Sequence, residues 1–194
     1  MTPVRLTADS IRGYLSRTPR QIVDRPEFRR AAVLVPFVLN ENTWHFLLTR
    51  RTDHVEHHKG QVSFPGGAME EGEQPEETAL RESFEEIGLA RERVTLLGCL
   101  DDIWTPSGYV VTPVVGIVEA GVVFSPNPGE VSLVFTVPVE FFTDQRNSEK
   151  KRVHVNGHTR DVFFYSYQSE TIWGATAFII RNALHRLELL AAEP

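Results

Sequence analysis

Residues 66–89 read GGAMEEGEQPEETALRESFEEIGL. The glycine pair allows a tight backbone turn, and the run over 78–87 predicts a helix that Gly88 ends. At roughly 100° per residue, Leu80, Phe84 and Ile87 fall within about 60° of one another and predict its core stripe. Glu82, Glu85 and Glu86 fall between about 140° and 240° from Leu80, on the opposite face, so three carboxylates crowd one patch.

A solvated charged face accounts poorly for that patch. Like charges at i,i+4 destabilise a helix by about 0.2–0.5 kcal/mol per pair. Glu85 and Glu86 also occupy the last turn, where the helix dipole disfavours an anion by roughly 0.3–1 kcal/mol. Glu76 and Glu77 sit at the opposite, favourable end and need no special explanation. Sequences that break local rules at one spot often do so for function. A divalent cation resolves the conflict, because Mg2+ and Mn2+ take oxygen ligands, often carboxylates combined with substrate phosphates. Directly before the helix, Phe64-Pro65-Gly66-Gly67 offers carbonyls to a cation and amides to an anion, with little side chain in the way. Turn and helix together predict a metal–phosphate site.

Charge accounting points to the same segment. The 194 residues carry 20 Lys+Arg and 26 Asp+Glu, a net of −6. Residues 70–86 hold eight glutamates and one arginine, a net of −7, leaving 19 basic against 18 acidic residues elsewhere. The chain is near neutral with one acidic hot spot, the wrong sign for a general nucleic-acid binder. Lys150, Lys151 and Arg152 read as a solvated run, so no nucleic-acid partner is expected. A lone Cys99 cannot form an internal disulfide and predicts a reducing, cytoplasmic setting. The first 20 residues lack the apolar core of a secretory signal. The longest apolar run, 31–39, is interrupted by Pro36 and too short to span a bilayer, so no membrane partner is expected either.

Outward from the acidic helix, strands are predicted at 31–39, 43–49, 94–100, 109–118 and 131–137. A hairpin with an Asn156-Gly157 turn joins 153–155 to 160–167. A polar loop is expected over 50–61, a short helical turn at 139–142, and a closing helix over 176–190 that packs through Phe178, Ile179, Leu187 and Leu190. Residues 7–17 predict an amphipathic helix with Ile11, Tyr14 and Leu15 on one side. The division expected is an N-terminal helical extension, 1–30, and one α/β domain, 31–194, built as a mixed sheet covered by helices. The extension carries seven arginines against three acids, read as a solvated helix and linker or as a basic wall near an anionic ligand.

The spacing of Gly67, Glu73 and Arg81-Glu82-Ser83-Phe84-Glu85-Glu86-Ile87-Gly88-Leu89 resembles the Nudix box, GX5EX7REUXEEXGU, where U is bulky and apolar. Every fixed position matches, and Ser83 departs from the usual aliphatic residue. Leu47 to Thr52 and the run from Gly60 to Gly67 are similar to the signature upstream of the box in bacterial coenzyme A pyrophosphatases, with Glu56 where that signature has Arg. The runs SGYVVTPVVG (107–116) and IWGATA (172–177) also resemble that subfamily.

This resemblance implies a Nudix-type α/β/α sandwich with a mixed β-sheet and Mg2+- or Mn2+-dependent hydrolysis of a nucleoside-linked diphosphate, a small-molecule substrate. It implies that Glu82, Glu85 and Glu86 are metal ligands, directly or through water, joined by the Gly66 carbonyl. Arg81 orients them, and Glu73 supports the loop. The expected reaction splits coenzyme A into 3′,5′-ADP and 4′-phosphopantetheine. The alternatives are the same chemistry on ADP-ribose, a dinucleotide or a nucleoside triphosphate, and a non-hydrolytic nucleotide-sensing module. The general base is a box glutamate or Glu130. Substrate contacts are expected from Gly66 and Gly67 and from Arg50 or Arg51. At most one of those arginines faces the site if the strand runs through them. His54, His57 and His58 have no cysteine nearby, so a structural zinc site is not expected. Trp104, Tyr109 and Trp173 read as packing residues first and adenine-stacking residues second.

Overall fold

Two apolar runs joined by a tight turn start the sheet. β1 (Arg29–Asn40) and β2 (Thr43–Arg51) pair antiparallel, with Phe37 opposite Phe46 and Asn40 opposite Thr43. Glu41 and Asn42 make the turn, both at positive φ. The computed structural model describes residues 6–52, 60–155 and 158–190. The predicted Asn156-Gly157 turn and the residues Glu56, His54, His57 and His58 lie outside the described residues.

The remaining strands are β3 (Val62–Ser63), β4 (Gly66–Ala68), β5 (Val94–Cys99), β6 (Ile103–Trp104), β7 (Tyr109–Val118) and β8 (Val131–Pro138). β7 runs parallel to β1 over ten residue pairs, while its pairings with β5 and β6 and those of β2 with β3 and β8 are antiparallel. The sheet is therefore mixed, as expected. A second sheet is formed by β9 (Ser148–Val155), β10 (His158–Tyr167) and β11 (Glu170–Trp173). β9 begins well before the predicted hairpin arm because Ser148 to Arg152, though polar, pair with β10.

Helices cover both faces of the main sheet. On one face α2 (Pro75–Ile87) packs Ala79, Ile87 and the following Leu89 against Ala32, Leu34, Leu47 and Val114. On the other, α1 (Ala8–Ser16), α3 (Val139–Thr143) and α4 (Gly174–Arg186) share a core with Val35, Phe37, Phe46, Leu48 and Val115. Ile11 and Leu15 from the N-terminal helix are buried in it. Arg186 donates to the Leu15 and Thr18 carbonyls, tying the end of α4 to the end of α1. α4 starts two residues earlier than predicted and ends at Arg186, and Phe178, expected to pack, is 55% exposed.

The box helix also departs from the simple wheel. It begins at Pro75, whose fixed φ suits a first helical position, and Glu77 accepts from the Gln74 amide to cap the start. Its buried residues are Thr78, Ala79, Leu80, Ser83, Glu86 and Ile87, whereas Phe84 is 60% exposed. The stripe is rotated because the small side chains of Ala79 and Ser83 let the helix lie close to the sheet. Ser83 satisfies its buried hydroxyl on the Ala79 carbonyl at 2.6 Å. Glu86 is consequently turned inward, not outward as the apolar count predicts.

Candidate active site

The end of α2 is fixed from outside. Gly88 adopts φ 68°, and the Gly88 and Leu89 amides return to the Phe84 and Ser83 carbonyls. Two further carbonyls, of Glu86 and Ile87, accept from the Asn127 and Ser125 amides. The loop before β8 thus docks on the helix terminus, which brings Glu130 into the electrostatic neighbourhood of Glu82 and Glu86.

Glu86 is the buried centre of this arrangement. Its carboxylate accepts from the Gly66 amide at 3.2 Å and from Arg51 at 3.4 Å, and only 3% of the side chain is exposed. Burial pushes its pKa up to about 7; Arg51 and the Gly66 amide oppose the shift, while Glu82 and Glu130 add to it. Glu82 is shifted upward by the same cause, burial, with Arg81 opposing and Glu85 and Glu130 adding. Glu85 is half-exposed.

Arg81 organises the rim. Its guanidinium donates to both Glu73 oxygens at 2.8 and 3.0 Å, to Glu82 at 2.8 Å, to Glu85 at 3.1 Å and to the Ala68 carbonyl at 3.1 Å. Glu73 in turn accepts from the Thr78 hydroxyl and the Glu70 amide. Its carboxyl is held down at about 2, chiefly by the Arg81 hydrogen bond.

Gly66 and Gly67 lie on β4, where they pair with Val33 and Ala32. The Gly66 amide faces the protein's own carboxylate. A Cβ at Gly67 would meet the Glu82 carboxyl at 2.5–2.6 Å, so this position admits no side chain while Glu82 stays in place. Gly67→Ala is expected to displace Glu82 by about 1 Å and lower turnover on the order of 10²-fold, with a higher Mg2+ requirement. A metal titration of the variant's rate checks this; an unchanged metal dependence would refute the packing argument.

The two strand-end arginines diverge. Arg51 shares the α2 face with Leu47 and reaches Glu86, and its Nε is buried without a hydrogen-bond partner among the described residues. Arg50 points the other way, to Ser132 at 3.0 Å and to the buried Glu170 at 2.9 Å. The strand alternation anticipates this split, but the sequence could not show the Glu170 tie, a pairing 120 residues distant. Asn127 is a site-forming residue that sequence reasoning missed, and an Asn-Pro-Gly turn before a strand was its only signal. Trp173 is 41% exposed and stacks on Phe164 with rings 3° from parallel.

Among the described residues, no three His, Cys, Asp or Glu side chains already converge as a metal cage. Instead, Arg81 pairs with Glu73, Glu82 and Glu85, and Arg51 with Glu86. The donors nevertheless fit a hard divalent cation: they are oxygens only, and two are carboxylates, Glu86 buried and Glu82 partly buried, whose charge is disfavoured as the protein stands. Mg2+ is commonly held through one or two carboxylates plus substrate phosphates and water, not an all-protein cage.

The NUDIX domain family matches residues 28–156. The chain is 38% identical over 162 residues to the uncharacterized Nudix hydrolase NudL of Yersinia pestis, covering 83% of this chain and 81% of that one. The fold is similar to that of DR0079 from Deinococcus radiodurans, with TM-score 0.55, 18% identity and coverage of 87% of this chain and 89% of that one. It is also similar to that of the Mycobacterium smegmatis Nudix hydrolase RenU, with TM-score 0.51, 24% identity and coverage of 58% and 72%. Box spacing, inward carboxylates and a family match over most of the chain agree: this protein is a member of the Nudix hydrolase family.

Proposed function

We propose that the chain is a Mg2+- or Mn2+-dependent coenzyme A diphosphatase yielding 3′,5′-ADP and 4′-phosphopantetheine. The observation that carries the substrate is the signature before the box, from Leu47 to Thr52 and from Gly60 to Gly67. Its two halves meet at the site: Arg51 and Gly66 each contact Glu86. Glu82 and Glu86 would hold the cation, with Glu85 and the Gly66 carbonyl as further donors. The bound ion supplies charge neutralisation at the diphosphate and a lowered pKa for its water.

The chain's own residues do the rest. Gly66 and Gly67 let β4 lie close against β1 and against the Glu82 carboxyl, which sets the carboxylates beside the turn. The Arg51 guanidinium, partly exposed at the end of β2, binds a phosphoryl oxygen through its open edge. Glu130 accepts the proton of the attacking water at its carboxylate. Arg81 keeps Glu82 and Glu85 in fixed rotamers through turnover, so little reorganisation is left for the transition state.

Glu56, standing where the similar signature carries Arg, favours a second reading: the same hydrolysis on another nucleotide, such as ADP-ribose, a dinucleotide or a nucleoside triphosphate. A product panel over these substrates with Mg2+ and with Mn2+ separates the two. Release of 3′,5′-ADP from coenzyme A at the highest kcat/KM is the expected result. Turnover of another nucleotide with no 3′,5′-ADP would assign the second reading, and binding with no turnover of any substrate would assign a sensing module.

A further inference from the structure

β2 and β8 slip by one residue just where the site begins. Arg50 pairs with Leu133 and Arg51 with Val131, so Ser132 is the extra residue of a β-bulge. Bulges re-aim side chains and occur often beside active sites. This one is fastened on both strands. The Ser132 hydroxyl accepts from Arg50 Nε at 3.0 Å and donates toward the Arg50 and Arg51 carbonyls at 3.1 and 3.3 Å. Arg50 is anchored in turn by the buried Glu170 at 2.9 Å, from the second sheet.

The two chain ends that leave the bulge carry the site. On the β2 side Arg51 meets Glu86, and the Thr52 amide donates to the Glu130 carbonyl at 2.9 Å. The buried Thr52 hydroxyl donates to the Gly129 carbonyl. On the β8 side Asn127 receives the Glu130 and Val131 amides on its carbonyl and the Gly129 amide on its side chain. Its own amide holds the Glu86 carbonyl at 2.8 Å, and its Nδ2 donates to the Glu130 carboxylate at 3.3 Å.

We propose that the Ser132 bulge, clamped by Arg50 and Glu170, is a positioning device that sets Arg51 and Glu130 against Glu86, with Ser132 and Glu170 as positioning residues for hydrolysis. Without the Ser132 hydroxyl the bulge can slide toward regular pairing. A one-residue shift in register turns each side chain of a strand to the other face. Arg51 and Glu130 would then lose their shared alignment while the remainder of the sheet keeps its pairing. The inference rests on the hydrolase reading but not on coenzyme A as substrate.

The test uses the full-length protein and the diphosphate substrate that wild type hydrolyses fastest. Ser132→Ala is expected to lower kcat by roughly 10- to 100-fold, the range that a misalignment of about 1 Å produces. KM should rise as well, because Arg51 also binds the substrate phosphate, while the melting temperature changes by only a few degrees. Ser132→Thr, which retains the hydroxyl on a β-branched side chain, should recover most of kcat. Glu170→Gln keeps an acceptor for Arg50 but loses the charge, and is expected to give a smaller loss of the same kind. The double variant should cost no more than Ser132→Ala alone, since residues acting through one device are not additive. Full kcat per folded molecule in Ser132→Ala, or additive losses in the double variant, would overturn the proposal. Failure of wild type to hydrolyse any diphosphate would instead overturn the functional reading beneath it.

Discussion

Replacing Glu86 by Gln is expected to abolish turnover and, in the metal-free protein at pH 8, to raise stability. The activity loss follows from the role proposed for Glu86, a charged oxygen ligand to the cation. Charge stabilisation by a metal supplies several kcal/mol, so losing it corresponds to on the order of 10³-fold or more in rate. The stability gain follows from burial. The carboxyl titrates at about 7 in the folded chain against 4.5 for its ordinary value. A folded pKa above the unfolded one favours the fold below pH 4.5, and that contribution is lost as pH rises through 7. Above pH 7 the metal-free fold carries an ionised, buried carboxylate at a cost on the order of 3 kcal/mol, reduced where Arg51 relaxes toward it. Glutamine never ionises, and it preserves the acceptor for the Gly66 amide. Its gain is smaller than that cost because Arg51 loses its counter-charge, leaving roughly 1–2 kcal/mol. Thermal denaturation with a chelator at pH 5 and pH 8 reads this directly. Wild type should lose stability between the two pH values while Glu86→Gln stays nearly level. Saturating Mg2+ should restore wild type at pH 8 and leave the variant almost unmoved. A variant as pH-sensitive as wild type would show that Glu86 is not the group whose burial sets the slope.

The same residue shows how far the sequence could be read. The box spacing was legible as a unit: Glu73 lies in the loop just before the helix, and Arg81, inside the helix, folds back to it. That placement allows the Arg81 fork to grip Glu73 and the next turn together. The mixed sheet was legible too, because the predicted strands outnumber the helices and the helices are spread along the chain. The wheel failed at Phe84 and Glu86 because it ranks positions by hydrophobicity alone. A carboxylate held by an arginine and a backbone amide can be buried, and a phenylalanine at the same helix end can be left in water. What could not be read were the tertiary ties. Asn127 docks on a helix end that sequence places some forty positions earlier, and Glu170 meets Arg50 across two sheets. Each is one hydrogen-bonding residue in a turn or strand, with no periodicity to announce it.

Arg81→Ala is expected to damage both stability and catalysis, and by a different route from Glu86→Gln. The guanidinium is the shared partner of Glu73, Glu82 and Glu85 and of the Ala68 carbonyl. Two of those carboxylates expose only 17% of their side chains, so little water reaches them when the arginine goes. Removing one partner of a buried pair costs about 3–5 kcal/mol, which partial exposure here reduces to roughly 2–3 kcal/mol. For a chain of this size that corresponds to a fall in melting temperature of roughly 5–10 °C. Arg81→Lys retains the positive charge but replaces the planar fork with a single ammonium, so it should recover part of the stability and little of the rate. The pH dependence has the opposite sign to that of Glu86. With its pKa held at about 2 by Arg81, Glu73 stabilises the fold above its ordinary value of 4.5, and that contribution is lost as pH falls through about 2. The stability gap between wild type and Arg81→Ala should therefore be widest near neutrality and narrow steadily below pH 4.5. A gap that stayed constant down to pH 3 would mean that the lost stability came from packing of the arginine stem and not from its grip on Glu73.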